Sequence, residues 1–135
     1  MTRTLAIDPA DAVPIWKQIE DGVRRLVVAG AVTPGTAVPS VRELARDLRV
    51  NPATVSKAYQ RLTDAGVLEV RRGEGTFVAG RSAGKMAAER RELLADEARR
   101  YAESAAAIGA TRDEAEAAVR EALDRRGSRR QGGGS

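Results

Sequence analysis

The residues of this 135-residue chain that are best suited to chemistry are cations and small polar side chains at helical spacing between residues 39 and 62. Three arginines recur at i, i+4 and i+7, which places them on one side of a helix. Guanidinium and ammonium groups donate hydrogen bonds to anionic oxygens, and short side chains let a helix approach a partner closely. These groups are Arg42, Arg46 and Arg49, followed by Ala53, Ser56, Lys57 and Gln60.

The sequence offers little to other kinds of chemistry. The chain contains no cysteine and no histidine, which excludes thiolate nucleophiles and disulfides and removes the commonest general base and metal ligand. Catalysis would then depend on paired carboxylates in a cleft, but the acids are scattered at positions that we expect on helix surfaces, such as Glu89, Glu92 and Asp96. We therefore predict that the protein is not an enzyme and that it has no catalytic residues, no metal site and no cofactor.

Charge and hydropathy limit the partners and the cellular compartment that we expect for the protein. The 23 lysines and arginines exceed the 19 acids by a net charge of +4, a mild excess that permits a nucleic-acid partner without requiring one. No signal-peptide pattern is visible, and no run approaches the roughly 20 apolar residues of a membrane span. Together with the absence of cysteine, this predicts a soluble, cytoplasmic protein without a membrane partner.

Two short, capped helices position the candidate groups. Ser40 and Glu43 form a capping box, and apolar residues follow at i, i+3, i+4 and i+7. Asn51 is a favoured N-cap, Pro52 suits a first helical turn, and Gly66 ends the second helix. Because only about three residues join the two helices, they must cross steeply to share a core, which predicts a helix-turn-helix.

A preceding helix and a following hairpin complete the first domain. Apolar residues at four-residue steps from Ile15 to Val27 predict a helix that ends at Gly30. Alternating residues on both sides of segment 71–75, "RRGEG", predict a β-hairpin with a basic, glycine-rich tip. Three helices and a hairpin in this order predict a mainly α fold, a winged helix-turn-helix over residues 1–80.

The composition shifts to alanine, glutamate and arginine after Arg81. A long helix with a narrow apolar seam is followed by a second helix that Thr111 caps. Residues 81–126 are therefore predicted to form a two-helix tail, and residues 127–135 a disordered end. The seam residues are Leu94, Ala98, Tyr101, Ala105 and Ile108.

A seam this sparse cannot hold an isolated helix in water, so the tail needs a partner. We interpret the tail as a homodimerisation element, and packing onto its own winged domain is the alternative. Two thin, alanine-rich helices from one chain should not wall a pocket of several hundred cubic ångströms. We therefore do not expect a small-molecule effector, and a ligand at the dimer interface is the remaining route to one.

The closely spaced helices have a physical reason. The major groove of DNA admits one helix, while a neighbouring helix crosses the backbone and braces it. Each cation alone is an ordinary solvated side chain, but the short turn, the two caps, the outward arginines and the basic hairpin together favour double-stranded DNA as the partner. A winged helix that serves protein interaction or non-specific DNA architecture is the competing interpretation.

The same residues resemble a known family. The segments "PSVRELA", "VNPATVSKAYQRL" and "RGEGTFV", within residues 5–78, are similar to the DNA-binding domain of the GntR family of bacterial transcription regulators. The short two-helix tail resembles the YtrA-type subfamily. The resemblance implies DNA contacts from the helix that Ser40 caps, from the recognition helix, which Asn51 caps, and from a wing tip that enters the minor groove. The implied contacts are Arg42, then Asn51, Ala53, Thr54, Ser56 and Lys57, then Arg72 and Gly73.

Three positions depart from the family's pattern. Pro52 and Ser56 stand where some members carry arginines that read bases, so the operators of those members do not transfer. Thr36 replaces an acidic residue in a loop, a change that we expect to be harmless. The resemblance and the tail together imply a homodimeric repressor on an inverted-repeat operator, with half-sites about 10 base pairs or a multiple apart.

Three other side chains have two interpretations each. Thr54 contacts a phosphate or a base, or it only completes the cap of the third helix. Tyr59 lies on the apolar stripe, which favours a core ring over base stacking. Trp16 lies beside Ile15 and Ile19, which favours packing over a ligand platform.

Overall fold

The computed structural model describes residues 5–132, with side chains to residue 130. It is mainly helical with one antiparallel hairpin, as the sequence predicts. The chain divides into two compact units between Arg90 and Arg91, ten residues later than predicted. The elements are α1 (Ile15–Val28), α2 (Val41–Leu48), α3 (Pro52–Asp64), β1 (Leu68–Arg71), β2 (Gly75–Val78), α4 (Ala83–Ala107) and α5 (Arg112–Gly132).

The first unit, which we call the winged unit, is built on one apolar core. The side chains of Ile19, Leu44, Val55 and Leu62 are completely buried, because the apolar stripes of α1, α2 and α3 face one another. Met86 also packs against this core, so the first two turns of α4 belong to the winged unit. That packing explains why the boundary lies beyond the predicted position.

Side-chain caps fix the start of each short helix. Ser40 Oγ accepts the backbone N–H of Glu43 at 3.1 Å, and Asn51 Oδ1 accepts that of Ala53 at 2.9 Å. Pro52 occupies the first turn of α3, where its missing N–H has no helical partner to lose. Both predicted caps are confirmed.

The turn between α2 and α3 begins with an arginine in the left-handed region. Arg49 has φ 57°, and it is the only non-glycine residue within 5–132 with positive φ. Its N–H bonds to Arg46 O at 3.2 Å, and that of Val50 bonds to Ala45 O at 2.9 Å. The prediction that Arg49 continues the outer face of α2 is therefore wrong, because α2 ends at Leu48 and Arg49 closes its C-terminus.

The wing is a short hairpin that a third segment supports. Leu68 pairs with Val78 and Arg71 with Gly75. On the other side of β2, Val38 N–H donates to Thr76 O at 2.9 Å. The hairpin thus joins the core through Leu68 and Val78, which are almost completely buried.

The second unit, which we call the tail, begins at Arg91 and contains the rest of α4 and α5. Thr111 and Glu114 form a reciprocal capping box, with bonds of 3.2 and 3.0 Å, as predicted. The Tyr101 hydroxyl donates to Ala115 O at 2.8 Å. No helix in the described part of the chain is long and apolar enough to cross a membrane.

The helix α5 is longer than predicted. It continues to Gly132, so residues 127–132, predicted to be disordered, are helical. The segment is rich in arginine, a good helix former, and Gly127 within it weakens the helix by only about 1 kcal/mol relative to alanine. Residues 133–135 of the predicted disordered end lie outside the described residues.

Candidate nucleic-acid interface

The outer face of α3 is small, polar and cationic. Val55, Ala58, Tyr59 and Leu62 are buried, and the residues between them point outward because the helix repeats every 3.6 residues. This face therefore has the size and the donors to enter a groove of DNA. The outward residues are Ala53, Ser56, Lys57 and Gln60, all exposed as predicted.

The first turn of α3 is held by its cap. The Asn51 side chain caps Ala53 N–H, and the Thr54 N–H donates to Asn51 O at 2.9 Å. The Thr54 side chain is half-buried beside this turn. Because the cap already serves these backbone donors, the Thr54 hydroxyl is not needed for capping.

Two arginines on α2 are exposed beside this helix. Arg42 and Arg46 lie one turn apart and both point to solvent, as predicted. Glu43 and Asp47 are also exposed on α2, so the cationic strip is narrow. Arg49 is exposed as well, in the turn that leads into α3.

Tyr59 belongs to the core, as predicted. Its ring is 5% exposed, and its hydroxyl donates to Pro39 O at 2.7 Å. Burial raises the pKa of this hydroxyl, and the charge of Glu43 adds to the rise. Tyr59 thus joins α3 to the segment before α2 and is not placed to stack on a base.

The wing tip presents one arginine and one glycine. Glu74 N–H donates to Arg71 O at 2.9 Å, which closes a tight turn. Gly73 has φ 78° in this turn, a conformation that favours glycine. Arg71 and Arg72 are both exposed, but Arg71 is paired with Glu69 at 2.8 Å and lies over the Phe77 ring at 4.1 Å.

Trp16 makes contacts that the sequence does not predict. It packs against the core, as predicted, but its ring also carries two cations of α3. Lys57 Nζ lies 4.3 Å from the ring centroid and Arg61 Cζ lies 4.8 Å from it. The four-residue spacing of Lys57 and Arg61 was the available signal, because residues so spaced share one helix side.

Two buried carboxylates, Glu20 and Glu89, form ion pairs that connect α3, α1 and the start of α4. Arg61 Nε donates to Glu20 at 2.8 Å, and Arg24 bridges Glu20 at 3.2 Å to Glu89 at 2.9 Å. Arg81 is the second partner of Glu89. Glu20 and Glu89 are the buried charged residues of the described chain, so the prediction that Glu89 lies on a helix surface is wrong. The four-residue spacing of Glu20 and Arg24 could have indicated the pair between them, but sequence spacing could not reveal those that join Arg61 to Glu20 and Arg24 to Glu89.

The pKa of Glu20 reflects this network. Burial raises the pKa of the carboxyl, but the hydrogen bond from Arg61 and the charges of nearby cations outweigh burial, so the pKa lies below its ordinary value. Glu20 is therefore ionised at neutral pH and holds both of its arginines.

The predicted seam residues do not share one environment. Ala105 is buried, while Leu94 and Ile108 are 68% and 84% exposed. Tyr101 is bound to α5 through its hydroxyl, and Ala98 is exposed. The seam thus divides into a part that faces α5 and a part that faces solvent.

An open cleft lies between the two tail helices. Its volume is about 670 Å³, and Tyr101, Ala105, Val119 and Leu123 are among the residues that line it. The cleft is largely open to solvent, so the prediction that the tail of one chain cannot wall a pocket of several hundred cubic ångströms stays a prediction.

Comparisons with known proteins agree with this geometry. Residues 16–78 match the family described as bacterial regulatory proteins, gntR family. The transcriptional repressor YtrA of Bacillus subtilis is 44% identical over 75 residues, which are 56% of this chain and 58% of YtrA. The chain thus spans little more than half the length of that relative. The regulator Rv1152 of Mycobacterium tuberculosis is 35% identical over 111 residues, 82% of this chain and 87% of Rv1152.

Two solved structures are similar as well. YtrA from Sulfolobus acidocaldarius, a GntR-family transcription factor, is 36% identical with a TM-score of 0.56, over 70% of this chain and 98% of that one. The DNA-binding domain of AraR in complex with operator ORX1 is 28% identical with a TM-score of 0.50, over 56% of this chain and 93% of that one.

Proposed function

We propose that this chain, which belongs to the GntR family of bacterial regulatory proteins, is a homodimeric repressor of an inverted-repeat operator. As a member of that family it is a DNA-binding regulator of transcription and not an enzyme. The exposed face of α3 is the observation that carries the proposal. Its caps, small side chains and single lysine give a helix that can lie in a major groove. Exposed cations on α2 and at the wing tip flank it in the same compact unit.

Each exposed group has a proposed task. Arg42 contacts a phosphate and fixes the register of the protein on the duplex. The first turns of α3 meet the edges of the bases, where an ammonium can donate to guanine O6 and N7. Arg72 and the adjacent Gly73 enter the minor groove, since a tip without bulk approaches the backbone closely. The base-facing residues are Asn51, Ala53, Thr54, Ser56 and Lys57.

In this proposal, the tail is the part of the chain that binds a second copy of the protein. Leu94, Ile108 and Leu123 are each more than 60% exposed, and a two-helix unit that leaves its largest apolar side chains in water is not a stable core. A second copy of the tail buries these residues and the cleft between α4 and α5. We propose a second copy, and not a small-molecule effector, as the occupant of this cleft. Two copies related by a two-fold axis then read half-sites about 10 base pairs or a multiple apart.

A truncation after Arg90 tests this proposal. The truncated chain keeps the winged unit with its buried Glu89, so we expect it to fold. It should sediment as a monomer and should bind duplexes selected from host genomic fragments by the full chain about 100-fold more weakly. A truncated chain that still sediments as a dimer contradicts the role of the tail.

A comparison of selected and random duplexes tests specificity. A specific regulator binds its selected duplex at least about 10³-fold more tightly than random DNA at physiological salt. Equal binding to both would instead indicate non-specific DNA architecture, and no binding to either would indicate a protein partner. Repression is tested by a reporter whose promoter contains the selected duplex.

A further inference from the structure

The Trp16 ring is the centre of a cluster that supports the recognition helix. Lys57 Nζ and Arg61 Cζ lie 4.3 and 4.8 Å from its centroid, so two cations one turn apart on α3 share one aromatic ring. Trp16 is half-buried and belongs to α1, which packs against α3 within the winged unit. The cluster thus lies directly beneath a residue that the proposed function places at the base edges.

The two cations are held differently. Arg61 is also bound to Glu20 at 2.8 Å, and Glu20 lies one turn beyond Trp16 on α1, so the guanidinium is fixed from two sides. Lys57 has no carboxylate within ion-pair distance among the residues that the structure describes, and the ring is its neighbour instead. Its charge is therefore not neutralised and remains available to an anion.

A lysine on a helix surface loses conformational freedom when it contacts DNA. The side chain has four rotatable bonds, and ordering it costs free energy when it makes a contact. A cation over an exposed aromatic face gains attraction without losing its charge. A ring that holds the ammonium before contact reduces the ordering cost, and this lowers the cost of binding.

We propose that Trp16 is a positioning residue for DNA recognition, which holds the Lys57 ammonium over its ring at the outer face of α3. Arg61, anchored by Glu20, covers the same ring and leaves Lys57 one confined position beside it. The proposal rests on the proposed function through the role of Lys57. It differs from core packing alone, because packing needs the bulk of Trp16 and positioning needs its aromatic face.

A double-mutant cycle on the full chain tests the proposal. The variants are Trp16→Leu, Lys57→Met and both together, and the probe is a duplex that the wild-type protein selects from genomic fragments. We expect Trp16→Leu to weaken binding about 2- to 5-fold when Lys57 is present and to have no effect in the Lys57→Met background. Trp16→Phe keeps an aromatic face and should restore most of the lost affinity.

The outcomes separate the two proposals. If Lys57→Met binds the duplex as tightly as the wild type, Lys57 does not contact DNA, and both its proposed role and the positioning role are overturned. If Lys57→Met weakens binding but Trp16→Leu has the same effect in both backgrounds, the role of Lys57 stands and the positioning role is overturned. Phe77→Leu is the matched control, because Phe77 carries Arg71 in the wing at 4.1 Å and should show no coupling to Lys57.

Fluorescence keeps the test decisive if Trp16→Leu does not fold. Trp16 is the chain's single tryptophan, so its emission reports the ring alone. We expect Lys57→Met to change the emission intensity of the free protein, since an ammonium close to the ring affects its excited state. An unchanged emission intensity would mean that ring and ammonium are apart in solution, which overturns the proposal.

Discussion

The winged unit and the tail use their apolar residues in opposite ways. In the winged unit, Leu44 and Leu62 are completely buried, and the buried carboxylates of Glu20 and Glu89 have arginine partners. In the tail, Leu94 and Leu123 are 68% and 62% exposed. The winged unit therefore buries its largest apolar side chains within one chain, whereas the tail leaves large apolar side chains exposed to solvent, which is the observation behind the proposed dimer.

The largest expected effect comes from one substitution made in both units. Leu44→Ala removes a fully buried side chain and should lower the free energy of unfolding by about 2–5 kcal/mol. Leu94→Ala, its matched control, should change the unfolding of the winged unit by less than about 0.5 kcal/mol and should instead weaken dimerisation. Urea unfolding and sedimentation measure the two effects. Equal destabilisation by both would erase the distinction between the units.

The buried charges should give the next largest effect. Glu20→Gln leaves Arg61 without its carboxylate and leaves Arg24 with Glu89 alone, and it should cost about 1–3 kcal/mol. Asp96→Asn breaks an exposed pair with Arg99 and should change the stability by no more than about 0.5 kcal/mol. Chemical denaturation at neutral pH distinguishes them, and a cost for Asp96→Asn as large as that for Glu20→Gln would contradict the assignment.

The same carboxylate makes the winged unit sensitive to acid. Because the folded-state pKa of Glu20 is lowered, its stabilisation is fully present above the ordinary value of 4.5 and is lost as the pH falls through the lower folded pKa. Unfolding measured from pH 6 downward should show this loss in the wild type. In Glu20→Gln that part of the pH dependence should disappear.

Substitution of one exposed arginine in each unit compares how the two units contribute to DNA binding. Arg42→Ala should weaken binding to all duplexes about equally and should reduce the salt slope by about one unit, if Arg42 contacts a phosphate. Arg99, which is exposed in the tail and paired with Asp96, is the control, and Arg99→Ala should leave the slope unchanged. Binding measured over a series of salt concentrations tests both, and a change in sequence preference for Arg42→Ala would contradict a phosphate contact.

The smallest expected effect is a gain. Arg49 has φ 57°, a conformation that costs a non-glycine residue roughly 1 kcal/mol, so Arg49→Gly should stabilise the winged unit by up to about 1 kcal/mol. A rise in melting temperature together with weaker DNA binding would indicate that the strained turn is retained for its cation. A fall in stability would show that the arginine side chain supports the turn.

The local features of the fold were predictable from the sequence. The caps at Ser40, Asn51 and Thr111 depend on neighbouring residues only, and the faces of α2 and α3 follow from helical periodicity. The hairpin followed from alternation and from the glycines of its tip. The family resemblance added the candidate contacts, which periodicity alone does not name.

The missed features depend on packing between distant segments. The ring of Trp16 meets Lys57 only because α1 crosses α3, and Glu89 is buried only because the first turns of α4 join the winged unit. The left-handed conformation at Arg49 could not be predicted, because the residue there is neither glycine nor asparagine, the types that favour it. Periodicity describes one helix at a time and cannot reveal such contacts.

The segment that contains Thr36 and Val38 and lies beside the hairpin affects whether the hairpin can pair with a strand of another molecule. Val38 N–H donates to Thr76 O and Val78 N–H to Thr36 O, so one border of the hairpin is already occupied. The other border, β1, is four residues long and carries Glu69 and Arg71, charges that discourage an incoming strand from another molecule. The hairpin therefore offers little free strand edge for pairing with a strand of another molecule.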